Sequence, residues 1–305
     1  MSDSPAIPGV VVTFHPDADF EARLSAIARE TNPVIVVDNT GDPATASRLG
    51  AACATHGAHL IANARNAGLA AALNQAFAEL QARGFTAAVA FDQDSTPAAG
   101  FIKALRATAA ADRNRAIVGA NWHDEARPGF GSRHLRRHRV VPFLFERPAA
   151  TQDLDQVTCV ITSGTLFDLA TWSALGGFDV SLFLDLVDTD YCLRARRAGH
   201  AIAVSAAARL AHRRGSKQPV RALGRTWWPA FMSPLRLRYL FRNRIHLASR
   251  HGGAVPHWVA FEIVYTVKIL AEVICLETQR RAKLTACAQG LWEGLMGVEG
   301  PILRV

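Results

Sequence analysis

Short apolar runs alternate with longer stretches in which apolar residues return every third or fourth position, and this alternation governs the first third of the chain. GVVVTF at residues 9–14 reads as a strand, rich in the β-branched residues that suit a pleated surface. In DADFEARLSAIARE, Phe20, Leu24 and Ile27 share one side of a helix. NPVIVVDNT supplies a second strand ending at Asp38 and Asn39. PATASRLGAACATHG then reads as a helix, AHLIANA as a strand, NAGLAAALNQAFAELQARG as a helix stopped by Gly84, and FTAAVAFDQDS as another strand. Strands regularly separated by helices predict a mostly parallel sheet with crossover helices, an α/β fold.

From residue 219 the strand pattern ends and the chain turns helical and basic. In WWPAFMSPLRLRYLFRNRIHLASR, Leu235, Leu237, Leu240, Phe241 and Ile245 can form one helical face beside arginines and paired tryptophans. Two readings stand for it: a peripheral contact with an anionic membrane, or a helical cap or dimer contact. HWVAFEIVYTVKILAEVICLE is interrupted by Glu262, Lys268 and Glu272, which are costly inside a bilayer, so it reads as an amphipathic or buried helix. The expected division is a domain over residues 1–218, in halves of about 1–97 and 98–218, and a helical extension over 219–305.

With 305 residues, half of them hydrophobic, the chain can bury a sizeable core. Its five cysteines are scattered without a CxxC pair, which argues against a zinc site or disulfide framework and for a reducing compartment. MSDSPAIPGVVVTF lacks the basic start and long apolar run of a secretory signal, so the expected location is cytoplasmic. A net charge of +8 suggests an anionic partner: nucleic acid, phospholipid or a phosphorylated small molecule. The arginines of RHLRRHR (133–139), AHRRGSK (211–217) and PLRLRYLFRNRIH (234–246) form no recognisable nucleic-acid module, and such a role would leave the acids below unexplained. No GxGxxG follows the first strand and no GxxxxGK[ST] occurs, which disfavours the usual dinucleotide fold and the P-loop.

Ligands of open α/β sheets sit beyond the carboxyl ends of the strands. Those ends carry Thr13, then Asp38 and Asn39, then Asn63, Arg65 and Asn66, then Asp92 and Asp94. Any one of them alone reads as a turn or cap residue; four successive polar ends point to one shared pocket. In the extended FDQDS, Asp92 and Asp94 face the same way, and such hard oxygen donors suit Mg²⁺ or Mn²⁺ bridging to a diphosphate. The competing reading makes Asp94 or Ser95 the cap of a helix starting near Pro97.

On VVVTFHP, VVDNT, NARNAGLAAALNQAF, FDQDS, VITSGTLFDLATWSALGGFDVSLFLDLVDTDYCLRARRAGH and ARLAH, the chain resembles the inverting family-2 glycosyltransferases of the GT-A fold, and within them bacterial rhamnosyltransferase-like enzymes. The likeness runs from about residue 9 to about residue 250. It implies a Rossmann-like nucleotide-diphospho-sugar transferase sheet flanked by helices, with a helical C-terminal extension. It also implies transfer of a sugar from a nucleotide-diphosphate donor with inversion.

By the same resemblance Thr13, Asp38 and Asn39 hold the nucleotide, Arg65, Asn66 and Gly68 approach the donor, and Asp92 contacts ribose or metal. Asp94 binds the Mg²⁺ or Mn²⁺ directly, with His212 as a later metal ligand, and Arg213 or Arg214 assists at the diphosphate. Where the family usually has Glu-Asp the chain has Val187-Asp188, so Asp188 is the matching general base; Asp185 competes for that role or caps the helix. Asp190 and Arg194, four apart, are expected to pair structurally. Ser163 and Gly164 are expected on the acceptor side with Asp185, and Trp172, Phe178 and Phe183 as sugar-stacking surfaces or ordinary core. The favoured donor is dTDP-L-rhamnose, with UDP-galactofuranose, UDP-glucose and GDP-mannose as rivals. The implied acceptor is a saccharide or lipid-linked saccharide of a bacterial surface polysaccharide, used in the cytoplasm or peripherally at the inner membrane. A sugar-phosphate nucleotidyltransferase is disfavoured because VVVTFHPDAD lacks a glycine-rich, lysine-bearing loop.

Overall fold

The computed structural model describes residues 6–127, 129–136, 143–149, 151–213, 219–222 and 224–302. Residues 137–139 of RHLRRHR and 214–217 of AHRRGSK, Arg214 among them, lie outside the described residues. Contacts divide the chain into two units, one of residues 1–134, 146–180 and 188–213, the other of 135–145, 181–187 and 214–305.

In chain order the elements are β1 (Gly9–Thr13), α1 (Phe20–Glu30), β2 (Val34–Asp38), α2 (Pro43–Thr55), β3 (His59–Ala62), α3 (Leu69–Ala82), β4 (Ala87–Asp92), β5 (Ser95–Pro97) and α4 (Phe101–Ala110). There follow β6 (Arg115–His123), β7 (His134–Arg136), β8 (Leu144–Glu146), β9 (Leu154–Asp155), β10 (Thr165–Asp168), α5 (Leu169–Ala174), α6 (Val187–Arg197) and β11 (Ala201–His212). The chain closes with the hairpin β12 (Val220–Ala222) and β13 (Arg225–Trp227), then α7 (Pro234–His251), α8 (Pro256–Cys275) and α9 (Arg280–Leu295).

The main sheet has the order β3-β2-β1-β4-β10-β6-β11-β5, with β9 beside β11. Strands β3, β2, β1 and β4 are parallel, as the alternating pattern predicts. β10 runs antiparallel between β4 and β6, while β11 is parallel to β6. Every residue of β2 is buried, which is why VIVV, ahead of Asp38, is a continuous apolar run rather than an alternating one. Phe20, Leu24 and Ile27 of α1 join Val11, Val36 and Val89 in the core.

The helix-cap reading of FDQDS is corrected. Ser95 opens β5, which pairs antiparallel with β11 and sets Ser95 opposite His212. Helix α4 starts later, and its exposed amides are taken by the carboxylate of Glu30, which accepts from Gly100 N at 2.8 Å and Ile102 N at 3.2 Å.

In the second unit the WWPAFM segment is not helical from its start: Trp227 ends a hairpin, and α7 begins behind Ser233, whose hydroxyl accepts from Arg236 N at 3.2 Å. Leu237, Leu240 and Phe241 bury against Ile269, Val273 and Cys287, so the apolar face of α7 is used inside the unit. α9 approaches α7 closely through Gly290 and Gly294. A Cβ on the first would lie 2.3 Å from the Arg238 carbonyl oxygen, and one on the second 2.7 Å from the Ile245 side chain. Buried Asn243 donates to the carbonyls of Leu182, Leu184 and Asp185, and Arg242 to those of Ser181 and Leu182. These bonds hold a segment in which Phe183, Asp185 and Leu186 all have left-handed φ. Among the described residues no helix is long and apolar enough to cross a membrane.

Burial pushes the His134 imidazole down to about 4, against a hydrogen bond to the main chain of Cys159 that works the other way. The unfolded chain therefore takes up this proton near pH 6.5 and the native chain only near pH 4. The contribution is whole above the upper value and is lost as pH falls through the window, by about 3 kcal/mol in total. His134→Asn should flatten the pH dependence of the melting temperature across that window. A slope unchanged by the substitution would contradict this assignment.

Candidate active site

The polar strand ends meet at one edge of the sheet. Register sets Thr13 opposite Asp38 and Val12 opposite Asp92. Asp38 is buried, and its Oδ1 accepts from Thr13 Oγ1 at 2.8 Å, Thr40 Oγ1 at 2.7 Å and Thr40 N at 3.2 Å. Asn39 donates through Nδ2 to the Gly68 carbonyl at 3.1 Å and accepts at Oδ1 from Asn63 Nδ2 at 2.9 Å. The Gly68 amide in turn donates to Asn66 Oδ1 at 2.9 Å. Gly68 sits at φ 86°, a conformation that disfavours any side chain, so the start of α3 presents bare backbone beside β2. Arg65 and Asn66 are exposed.

Asp92, Asp94 and His212 come together, with one ligand atom from each lying within 4.8 Å of the others. Asp92 ends β4, Asp94 lies in the turn before β5, and His212 ends β11. His212 Nδ1 engages Ser95 Oγ at 2.9 Å. Asp94 Oδ1 is 3.2 Å from the same nitrogen, yet it is buried and makes no hydrogen bond. Asp92 Oδ2 is 3.9 Å from His212 Nε2.

Ser95 Oγ also meets Ser163 Oγ at 2.5 Å, and Ser163 Oγ accepts from the Asp92 amide at 3.1 Å. Two serines under the cluster thus fix both ends of the acid-turn-strand segment. Gln93, between the two acids, clamps that segment to the end of β1: its Oε1 accepts from Phe14 N at 2.7 Å and its Nε2 donates to Phe14 O at 3.2 Å. Two carboxylates and an imidazole this close, one carboxylate oxygen buried without a donor, form an oxygen-and-nitrogen donor set in which a dication relieves the repulsion between the two acids. The residues fit a Mg²⁺ or Mn²⁺ ion.

Asp188, in the first turn of α6, accepts from Thr189 N at 2.7 Å and, through Oδ2, from Thr162 N at 3.3 Å. Thr162 directly precedes Ser163, so one short stretch of main chain links Asp188 to the metal-type cluster. Farther along α6, Arg194 Nε donates to Asp190 at 2.7 Å, the structural pair expected from their spacing, and the two terminal guanidinium nitrogens donate to the carbonyls of Leu175 and Gly177. Burial holds Tyr191 and Cys192 above their ordinary ranges, so both keep their protons.

Ser163 is fully buried beneath the cluster, and Gly164 donates its amide to Ala90 O at 2.8 Å in a spot crowded by Leu210, Ala120 and Phe101. Trp172 is a core residue, packed on Phe77 and donating from its indole to Asn74 Oδ1 at 3.1 Å. Phe178 is buried among Phe77, Phe167 and Tyr191. In the second unit Phe183 stacks on Tyr239, and Arg236 grips the Asp185 carboxylate through two nitrogens. Asp185 lies two residues ahead of α6 at φ 58° and answers to that guanidinium.

The sequence reading overlooked Gln93 and Ser95 as site residues. The available signal was their place inside FDQDS; in an ideal strand Gln93 would point away from both acids.

Residues 13–170, over half the chain, match the family described as Glycosyl transferase family 2. The chain belongs to glycosyltransferase family 2. The transferase is 27% identical over 269 residues to the dTDP-rhamnosyl transferase RfbF of Shigella flexneri, covering 86% of this chain and 87% of the relative. It resembles S. aureus TarS 1–349 in complex with UDP-GlcNAc at a TM-score of 0.55 and 13% identity, over 96% of this chain and 82% of that one. It also resembles the mannosyltransferase PcManGT from Pyrobaculum calidifontis, in complex with GDP-Man and Mn²⁺, at a TM-score of 0.53 and 16% identity, over 97% and 88%. These two likenesses are likenesses of fold, the GT-A arrangement of a mostly parallel sheet between helices.

Proposed function

We propose that the transferase moves L-rhamnose from dTDP-L-rhamnose, with inversion, to a hydroxyl of a glycan or lipid-linked saccharide in bacterial surface polysaccharide synthesis. The observation that carries the reading is the cluster of Asp92, Asp94 and His212, with Asp94 Oδ1 buried and lacking a hydrogen bond, at the strand edge that also bears Asp38. Rhamnose is favoured by the relationship to RfbF; nucleotide-sugar binding in general is favoured by fold relatives holding UDP-GlcNAc and GDP-Man.

In this reading Thr13, Asp38 and Asn39 hold the nucleoside, and the bare backbone at Gly68, braced by Asn66, lets the donor come close, with Arg65 at its rim. Asp92, Asp94 and His212 hold a Mg²⁺ or Mn²⁺ ion. When bound, that ion supplies positive charge against the charge growing on the leaving diphosphate. Arg213, whose amide donates to the Asp94 carbonyl at 3.1 Å, is placed to add to it. Asp188 accepts the proton of the acceptor hydroxyl as its oxygen bonds to the anomeric carbon and the carbon–oxygen bond to the diphosphate breaks on the opposite face. One displacement gives inversion and needs no covalent enzyme intermediate. A lipid-linked acceptor would bring the enzyme to the cytoplasmic face of the inner membrane.

The donor is tested by release of nucleotide from dTDP-L-rhamnose, UDP-galactofuranose, UDP-glucose and GDP-mannose with Mn²⁺, water serving as slow acceptor. Turnover of dTDP-L-rhamnose at least about tenfold faster than the others, a margin of about 1.4 kcal/mol, is the expected result. Preference for a UDP- or GDP-sugar would replace the donor and leave the chemistry in place.

A further inference from the structure

The second unit carries an apolar surface that its own core does not use. On α8, Ile263, Val264, Val267 and Ile274 are 50–63% exposed. Their spacing puts them on one outer stripe, while Ile269 and Val273 face the core. On α9, Trp292, Leu295 and Met296 are 60–69% exposed at the same helical spacing. Phe145, itself exposed, packs edge-on against Phe261 of α8 at 5.1 Å and extends the apolar surface beyond the helix. Exposed aliphatic stripes of this size mark contact surfaces.

Charge says what they contact. The second unit holds 17 lysines and arginines against 6 acids, a surplus of 11, whereas the first holds 17 against 20. The whole positive surplus of the chain thus belongs to the unit with the apolar stripes. Each of the six acids is already ion-paired within that unit: Asp185 with Arg236, Glu262 with Arg244, Glu272 with Lys268, Glu277 with Lys283, Glu293 with Arg238 and Glu299 with Arg250. A second copy of the chain would set one surplus of 11 against another. An anionic bilayer complements the charge and the apolar stripe together.

We propose that the outer stripe of α8, with Trp292, Leu295 and Met296 of α9, seats the protein in the interfacial zone of an anionic membrane. This deepens the lipid-linked-acceptor reading and moves the membrane surface from α7, whose apolar face is buried, to α8 and α9. Helix α8, about 30 Å long at 1.5 Å per residue, lies along the membrane rather than across it.

The test is sedimentation of the full chain with vesicles of phosphatidylcholine alone and of phosphatidylcholine with about one-quarter phosphatidylglycerol, using wild type, Val264→Asp/Val267→Asp and the milder Val264→Ser/Val267→Ser. Wild type should partition onto the anionic vesicles and far less onto the neutral ones. The aspartate pair should lose about tenfold or more and the serine pair a smaller factor, with dTDP binding by calorimetry equal in all three. Equal partitioning of wild type and both variants would overturn the proposal. So would a wild-type dimer that ignores vesicles and dissociates in the variants, since the occupant would then be a second copy. Vesicle binding that behaves as expected beside failed dTDP binding would sink the donor reading and leave this surface standing.

Discussion

Asp94→Ala will abolish metal-dependent nucleotide binding and leave the melting temperature unchanged or slightly higher. The carboxylate sits 3.2 Å from His212 Nδ1 and within reach of Asp92, and its buried Oδ1 takes no hydrogen bond. Without an ion it stands close to a second carboxylate, so its removal relieves repulsion. In the proposed reading it would be a direct ligand of the ion; changing even an outer partner of a ligand costs about 10–100-fold in metal affinity, so direct loss would cost at least the upper figure. Stability separates this account from a helix-cap role, in which Asp94→Ala would cost about 1 kcal/mol and leave binding alone. Paired calorimetry and thermal melts decide between them.

Asp188→Asn should lower turnover by about 10²–10⁴-fold while nucleotide affinity with Mn²⁺ stays within about twofold of wild type. The amide oxygen can keep the 2.7 Å bond from Thr189 N, while the 3.3 Å bond from Thr162 N, which ends on the other carboxylate oxygen, is given up along with the proton acceptor. A matched fall in turnover and binding would make Asp188 a structural residue. Normal turnover would pass the base role elsewhere, and Asp185, gripped by Arg236, is poorly free to take it.

The parallel half of the fold was legible because burial on both faces makes β1, β2 and β4 continuous apolar runs, and the helices between them repeat at three to four residues. The insertion of β10 between β4 and β6 was not, since four residues carry no period that reveals direction. Nor was the cap of α4, which comes from Glu30, about 70 residues away in sequence. The short β5 hid behind a turn that local chemistry makes look like a helix start.

The site divides the same way. Acids at the ends of apolar strands are conspicuous, so Asp38, Asp92 and Asp94 announced themselves. Ser95 and Ser163 did not, because a hydroxyl buried under the Asp92, Asp94 and His212 side chains has the same letter as one at the surface. Trp172 and Phe178 invited a sugar-stacking role, but aromatics in GT-A-like surroundings also build the core, and here Phe77 and Asn74 claim them.

The measurement that bears most directly on the central claim is calorimetric titration of the wild-type transferase with dTDP, once with Mn²⁺ and once with EDTA. Binding with Mn²⁺ that disappears in EDTA is the predicted result, and it would make the strand-end acids the seat of a metal-held diphosphate. Equal binding in both would contradict the metal reading, and binding in neither, with UDP and GDP also silent, would contradict the donor site itself.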